Sequence, residues 1–117
     1  MHDDAHTMSE AVDALIVFTN LPDRASALKL AQELVDKRLA ACVNVLGEAV
    51  SVYRWEGRVA TEPEVPVLIK TCTARYREVE AAIAAAHPYE LPEIMAVPVV
   101  RGLPEYLKWV VAETISG

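Results

Sequence analysis

The sequence contains few of the residues that mark special folds or chemistries. Its 117 residues include only 4 glycines and 2 cysteines, and no apolar run approaches the ~18 residues of a membrane-spanning helix. The cysteines form neither a CxxC motif nor a zinc-ligand pattern. A glycine-rich phosphate loop, GxSxG and HExxH are also missing. We therefore expect a cytoplasmic protein that is not an enzyme, has no membrane partner and needs no cofactor to fold.

Basic residues are outnumbered, with 11 Lys and Arg against 17 Asp and Glu and a formal net charge of −6. A chain of this charge does not attract phosphate backbones, so we expect no nucleic-acid partner. Residues 1–13 carry four acidic side chains and no basic one, and they lack the pattern of a secretory signal. We interpret residues 1–13 as a flexible acidic tail and residues 14–117 as a single domain.

Hydrophobic periodicity in the domain predicts the element order β-α-β-β-α-β-α. Asp23 and Thr73 precede the first two helical patterns and are predicted to be their N-caps. Two βαβ halves flanking a hairpin indicate an α+β, ferredoxin-like βαββαβ fold with an added C-terminal helix. The predicted strands cover residues 14–19, 41–53, 58–72 and 93–99. The first predicted helix follows Asp23 and extends to about Lys37, the second covers residues 74–86, and the third begins at Pro104.

The central hairpin is long for a domain of this size. Each arm has about 13 residues, which is ~43 Å at ~3.3 Å per residue, whereas a compact chain of this length has a radius of gyration of ~13 Å. The arms should therefore project, and their apolar tip should be covered by other copies of the chain. Gly47 predicts a bulge or bend within the first arm. In the alternative to a shared hairpin, Gly47 and the prolines break the arms into shorter strands that fold back. The expected interface residues are Val50, Val52, Trp55 and Trp109.

Five segments of the domain form a distinctive set in this order and spacing: residues 40–44 (AACVN), 51–57 (SVYRWEG), 69–71 (IKT), 87–94 (HPYELPEI) and 106–109 (YLKW). Together they resemble the CutA divalent-cation-tolerance family. The resemblance implies a homotrimer of ferredoxin-like subunits, with long hairpins packed between them and a topology similar to PII-type signalling trimers. It also implies binding of divalent metals, copper in particular.

The resemblance further implies a copper site made of a cysteine in the first strand and two histidines before Pro-Tyr. Those positions are Thr19, Ala86 and His87 in this sequence, so only His87 keeps a ligand side chain. His87 is therefore either a metal ligand or proton carrier, or a C-terminal helix cap favoured by the helix dipole. His2 and His6 in the tail are a further candidate site for loosely held Cu(II).

The two cysteines lie on opposite arms of the hairpin, at positions that predict near neighbours across the ladder. Cys42 and Cys72 are either a soft thiolate pair suited to Cu(I) or two small buried hydrophobic residues. We retain Cys42 with His87 as the candidate metal ligands.

Lys70 lies in an apolar strand, where a charge is costly unless it is paired or lines a cleft. We expect it either to hold an anion or to form an intersubunit salt bridge with Glu90 or Glu93. The expected cleft between subunits is lined by Lys70, Tyr53, Trp55 and Glu90, and the aromatic residues are either interface anchors or ligand platforms.

Three functional hypotheses follow. The first is a non-enzymatic, metal-binding trimer that responds to metal ions. The second is a PII-like trimeric sensor that binds an anionic small molecule between subunits through Lys70. The third is a structural trimer without a ligand.

Overall fold

The computed structural model of the protein describes residues 13–115, which form one antiparallel sheet of five strands together with three helices. The strand order is β2-β4-β1-β5, and β3 pairs with the outer part of β4. This is the ferredoxin-like arrangement that the sequence predicts. The strands are β1 (Ala14–Leu21), β2 (Cys42–Val45), β3 (Ala49–Trp55), β4 (Arg58–Cys72) and β5 (Met95–Pro98), and the helices are α1 (Arg24–Asp36), α2 (Tyr76–Ala86) and α3 (Pro104–Glu113).

The core lies between one face of the sheet and the helices α1 and α2. Val17 of β1 and Ile69 of β4 are cross-strand partners on this face, and both are fully buried. Leu34 of α1 and Ile83 of α2 are also fully buried and belong to the same cluster. Each buried side chain of this size contributes about 1.5–3 kcal/mol relative to an exposed one.

The two predicted N-caps differ in outcome. The carboxylate of Asp23 accepts a hydrogen bond from the Ser26 amide at 2.8 Å, which confirms the cap of α1. The prediction for Thr73 is wrong, since a 3-10 turn (Thr73–Arg75) precedes α2 and neither has a side-chain cap. The Thr73 amide instead extends the ladder of β4 by donating to the Asp13 carbonyl at 2.8 Å.

The single strand predicted over residues 41–53 is interrupted between β2 and β3. Val45 lies opposite Val67 and Ala49 lies opposite Glu64, so four steps along one strand match three along its partner. One extra residue on one strand is the definition of a β-bulge. Gly47 lies in this break, as predicted. The strands do not fold back as in the alternative, because β3 continues to pair with β4.

The hairpin made of β3 and the outer half of β4 projects from the rest of the chain. The structure measures 51 × 31 × 23 Å, and its radius of gyration of 15.6 Å exceeds the ~13 Å of a compact chain. Glu56 (φ 50) and Gly57 (φ 81) form the two-residue turn, both in the left-handed region that such tight hairpins require. Val50, Val52 and Val59 on the arms are 64–70% exposed.

The opposite face of the sheet, the outer face, is only partly covered by α3. The Thr114 hydroxyl at the end of this helix lies 3.1 Å from the sulfur of Cys72, and both residues are buried. Met95, Val97 and Trp109 remain 43–55% exposed. Apolar surface is therefore available on the hairpin and on the outer face.

None of the helices within residues 13–115 is both long and apolar enough to cross a membrane. Apart from Asp13, the predicted acidic tail lies outside the described residues, and so do His2 and His6.

Candidate functional site

A cavity lies where the projecting hairpin meets the body of the sheet, and we call it the hairpin-root cavity. Its volume is about 880 Å³. The hairpin supplies one wall, while the end of β1 and the segment after α2 supply the other. The lining residues are Asn20, residues 51–55, Glu62, Glu64, His87 and residues 89–93.

His87 is buried at the end of α2, and both of its ring nitrogens are hydrogen-bonded. Its Nε2 lies against the backbone carbonyl of Asn20, which can only accept, so Nε2 carries the proton. The Tyr89 amide donates to Nδ1 at 3.3 Å. His87 therefore joins the end of β1 to the following loop through both ring nitrogens, and neither nitrogen is left for a metal.

A second contact fastens the same loop to β1. The Asn20 side-chain amide donates to the Glu93 carboxylate at 2.7 Å. The rings of His87 and Tyr89 also pack with centroids 4.5 Å apart. The backbone and side chain of Asn20 thus hold opposite ends of residues 87–93, which fixes where Tyr89 enters the cavity.

Tyr89 and Glu64 form the polar floor of the cavity. Glu64 is only 9% exposed, and it lies close enough to the Tyr89 hydroxyl to affect the pKa of Tyr89. Burial raises the pKa of Tyr89, and the nearby Glu64, Tyr53 and Glu62 raise it further. The phenol therefore stays protonated and remains a donor.

The charge around the cavity is predominantly negative. Glu62, Glu64, Glu90 and Glu93 line it, and Arg54 is the one cationic side chain among its described lining residues. This composition favours a cation over an anion as the ligand. Glu62 and Glu64 are a signal that the sequence did contain, because two carboxylates at a spacing of two residues on one strand share a face.

Lys70 and Cys42 lie elsewhere, opposite each other on the outer face of the sheet. Lys70 is six residues from Glu64 along β4, which is about 20 Å. Its ammonium group lies over the Tyr106 ring, 6.0 Å from the centroid. Of the four residues expected to line one cleft, Tyr53, Trp55 and Glu90 therefore meet in the cavity, and Lys70 does not.

Cys42 and Cys72 are not cross-strand partners. Cys42 of β2 pairs with Lys70, which is two residues before Cys72 on β4. Cys72 itself pairs with Ala14 of β1, on the other edge of β4. The thiol of Cys42 lies 3.9 Å from the Asn44 side-chain oxygen, whereas Cys72 is buried against Thr114. Both cysteines are free.

The residues present do not form a copper site of the kind the resemblance implies. Within residues 13–115, no three His, Cys, Asp or Glu side chains are close enough together to hold one metal ion. The Thr19 hydroxyl is buried, with no hydrogen-bond partner in that part of the chain. Ala86 supplies no ligand, and the two nitrogens of His87 are already engaged.

The fold and the cavity define a class: ferredoxin-like α+β proteins with a projecting hairpin and an acidic, aromatic-lined cavity at its root. The family model of the CutA1 divalent ion tolerance protein matches residues 15–113. The chain therefore belongs to the CutA1 family.

Individual relatives agree with this assignment. The divalent-cation tolerance protein CutA of Thermus thermophilus is 40% identical over 94 residues, which are 80% of this chain and 91% of the relative. The chloroplastic CutA of Arabidopsis thaliana is 37% identical over 101 residues, which are 86% of this chain and 56% of that protein. The crystal structure of CutA from Xylella fastidiosa has a TM-score of 0.85 at 45% identity, covering 88% of this chain and 99% of that one.

Proposed function

We propose that this chain acts in divalent-cation tolerance as a non-enzymatic homotrimer in the cytoplasm, and that divalent cations bind at the carboxylates of the hairpin-root cavity. The observation that carries the metal proposal is the charge of that cavity, with four glutamates against Arg54. Carboxylate oxygens suit hard divalent cations, which keep several waters and need only one or two protein ligands. The two free cysteines are consistent with a reducing compartment.

The homotrimer is supported by the apolar surface that a single chain leaves uncovered. Val50 and Val52 on the hairpin are 70% and 66% exposed, and Trp55 and Trp109 are 40% and 43% exposed. A long apolar hairpin of this kind is prone to aggregation unless another chain covers it. Closed symmetry among identical copies covers it without creating a filament, and the resemblance to CutA implies three copies.

Copper and anionic ligands have less support than hard cations. For His87 and Cys42 to bind copper together, the His87 ring would have to give up its hydrogen bonds to Asn20 and Tyr89. The side chains of His87 and Cys42 would also have to come together, although Cys42 lies opposite Lys70 on the outer face. An anion sensor would rest on Lys70, which faces Tyr106 and lies away from the cavity. We therefore assign the divalent cation to the glutamates.

The test is titration of the purified protein with Mn²⁺, followed by the electron paramagnetic resonance signal of the free ion. We expect Glu64→Gln to weaken binding about tenfold, which is ~1.4 kcal/mol. This is a modest fraction of the attraction between a carboxylate and a divalent cation near a protein surface. Glu48→Gln is the matched control, because Glu48 is exposed and lies outside the cavity.

Two results would contradict the metal proposal. One is the absence of Mn²⁺ binding by the wild-type protein, and the other is equal binding by wild type and Glu64→Gln. A parallel titration with Cu²⁺ shows whether the protein prefers Mn²⁺ or Cu²⁺. If it binds copper tightly and Cys42→Ser abolishes that binding, the metal site lies on the outer face of the sheet and not in the cavity.

A further inference from the structure

The hairpin-root cavity is larger than a metal ion needs. Its volume of about 880 Å³ is in the range of cavities that enclose whole small molecules, which is roughly 300–1,000 Å³. The glutamates reach it from two separate segments, β4 and the loop after α2. As no three metal-binding side chains in the described range converge on one point, the cavity matches a charge distributed along a molecule.

Among residues 13–115, the carboxylate of Glu64 has no cationic side chain as a salt-bridge partner. The residue is 9% exposed, and its neighbour within the described part of the chain is the neutral hydroxyl of Tyr89, whose pKa Glu64 helps to raise. The salt bridges among residues 13–115 involve neither Glu64 nor Glu62. A buried carboxylate without a cation is unfavourable, and a cationic ligand would compensate it directly.

Three aromatic rings form the apolar part of the cavity wall. Tyr53, Trp55 and Tyr89 all line it, and each is 39–42% exposed. The face of an aromatic ring attracts a cation, most strongly for Trp, and aromatic rings beside carboxylates are typical of sites for organic ammonium groups. A hydrated metal ion would gain little from these rings, whereas an alkylammonium chain would contact both the rings and the carboxylates.

The cavity wall is also preorganised. The contacts from His87 and Glu93 to Asn20 hold the loop that carries Tyr89, so ligand binding does not have to order this segment. Preorganisation of this kind lowers the entropy cost of binding.

From these observations we propose that the hairpin-root cavity binds an organic cation, with ammonium or guanidinium groups carried on an extended aliphatic chain, of which a linear polyamine is the simplest example. The proposal goes beyond the proposed function because it does not require a metal to bind. One ammonium group pairs with Glu64 and Glu62, the chain lies against Trp55 and Tyr53, and a second ammonium group reaches Glu90.

The test is isothermal titration calorimetry of the wild-type protein with spermidine at constant ionic strength. We expect saturable binding, and at least about tenfold weaker binding by Glu64→Gln. Glu62→Gln is a second variant at a more exposed position, which keeps the test valid if Glu64→Gln folds poorly. Glu48→Gln should bind like wild type, and 1,4-butanediol, an uncharged chain, should not bind.

Tryptophan fluorescence locates the ligand. In Trp109→Phe, Trp55 is the remaining tryptophan, and we expect spermidine to change its emission with the midpoint found by calorimetry. An unchanged emission under saturating spermidine would place the ligand elsewhere and overturn the proposal.

Two calorimetric results would also overturn the polyamine proposal. One is no binding of spermidine to the wild-type protein, which is expected if a basic side chain of another copy fills the cavity. The other is equal affinity of wild type and Glu64→Gln for spermidine. The Mn²⁺ titration separates this inference from the proposed function. If the protein binds Mn²⁺ but not spermidine, the proposed function stands and the polyamine site is refuted. If it binds spermidine but not Mn²⁺, the polyamine site stands and the metal proposal is refuted.

Discussion

Replacing His87 with alanine separates a structural role from a role as metal ligand. The side chain is 8% exposed, and it makes one hydrogen bond to the Asn20 carbonyl and accepts one from the Tyr89 amide. Each bond contributes about 1 kcal/mol, and a buried group left without its partner costs about 1–3 kcal/mol. We therefore expect His87→Ala to lower the free energy of unfolding by about 2–4 kcal/mol.

The assay is guanidinium unfolding followed by far-ultraviolet circular dichroism, with all proteins at one concentration because association affects apparent stability. Ala86→Gln is the matched control, since Ala86 is the exposed neighbour at the same helix end. Its unfolding free energy should stay within about 0.5 kcal/mol of wild type. Metal affinity, measured on the folded proteins, should be unchanged in both variants.

Two results would refute this reasoning. If His87→Ala unfolds like wild type, the two hydrogen bonds do not hold the loop. If it stays stable but loses most of its affinity for copper, a nitrogen of His87 is a ligand, and the assignment of both nitrogens to hydrogen bonds is wrong.

Two further predictions concern the hairpin and α1. Val52→Asp puts a charge on the projecting arm, and sedimentation velocity should show folded monomers, whereas an unchanged trimer would contradict the packing of hairpins between copies. The hydrogen bond from the Ser26 amide lowers the pKa of Asp23 below its ordinary 3.8. The stabilisation from Asp23 is therefore fully present above pH 3.8, and it is lost as the pH falls through the lowered pKa that Asp23 has in the folded protein. Asp23→Ala should therefore melt at a lower temperature than wild type at neutral pH and approach wild type in acid, and a deficit independent of pH would contradict the cap.

Much of the fold can be predicted from the sequence because its signals are local. Asp23 before a helical pattern predicts the start of α1, and the return strand over residues 58–72 coincides with β4. Gly47 predicts a bulge or bend, and the register of β2 and β3 against β4 changes by one residue there. The size of this change depends on how two strands match across the ladder, which the local sequence does not contain. Thr73 was wrongly predicted as a cap for the same reason, since its amide pairs with Asp13, 60 residues away.

The candidate site was less predictable, because it combines segments that are distant in sequence. Tyr53, Trp55 and Glu90 line one cavity, whereas Lys70 lies far along β4. The cleft between subunits that was expected from these four residues stays a prediction. Glu64 was missed because a glutamate in a strand that contains prolines usually indicates an exposed edge. Glu64 shares the cavity with the loop that carries Tyr89, and that loop is held by its contacts with Asn20, which is far away in sequence.

Native mass spectrometry of the wild-type protein at micromolar concentration tests most directly whether identical copies share the hairpin. We predict a particle of three chains of 12.8 kDa each. A well-folded particle of one chain at that concentration would contradict the homotrimer.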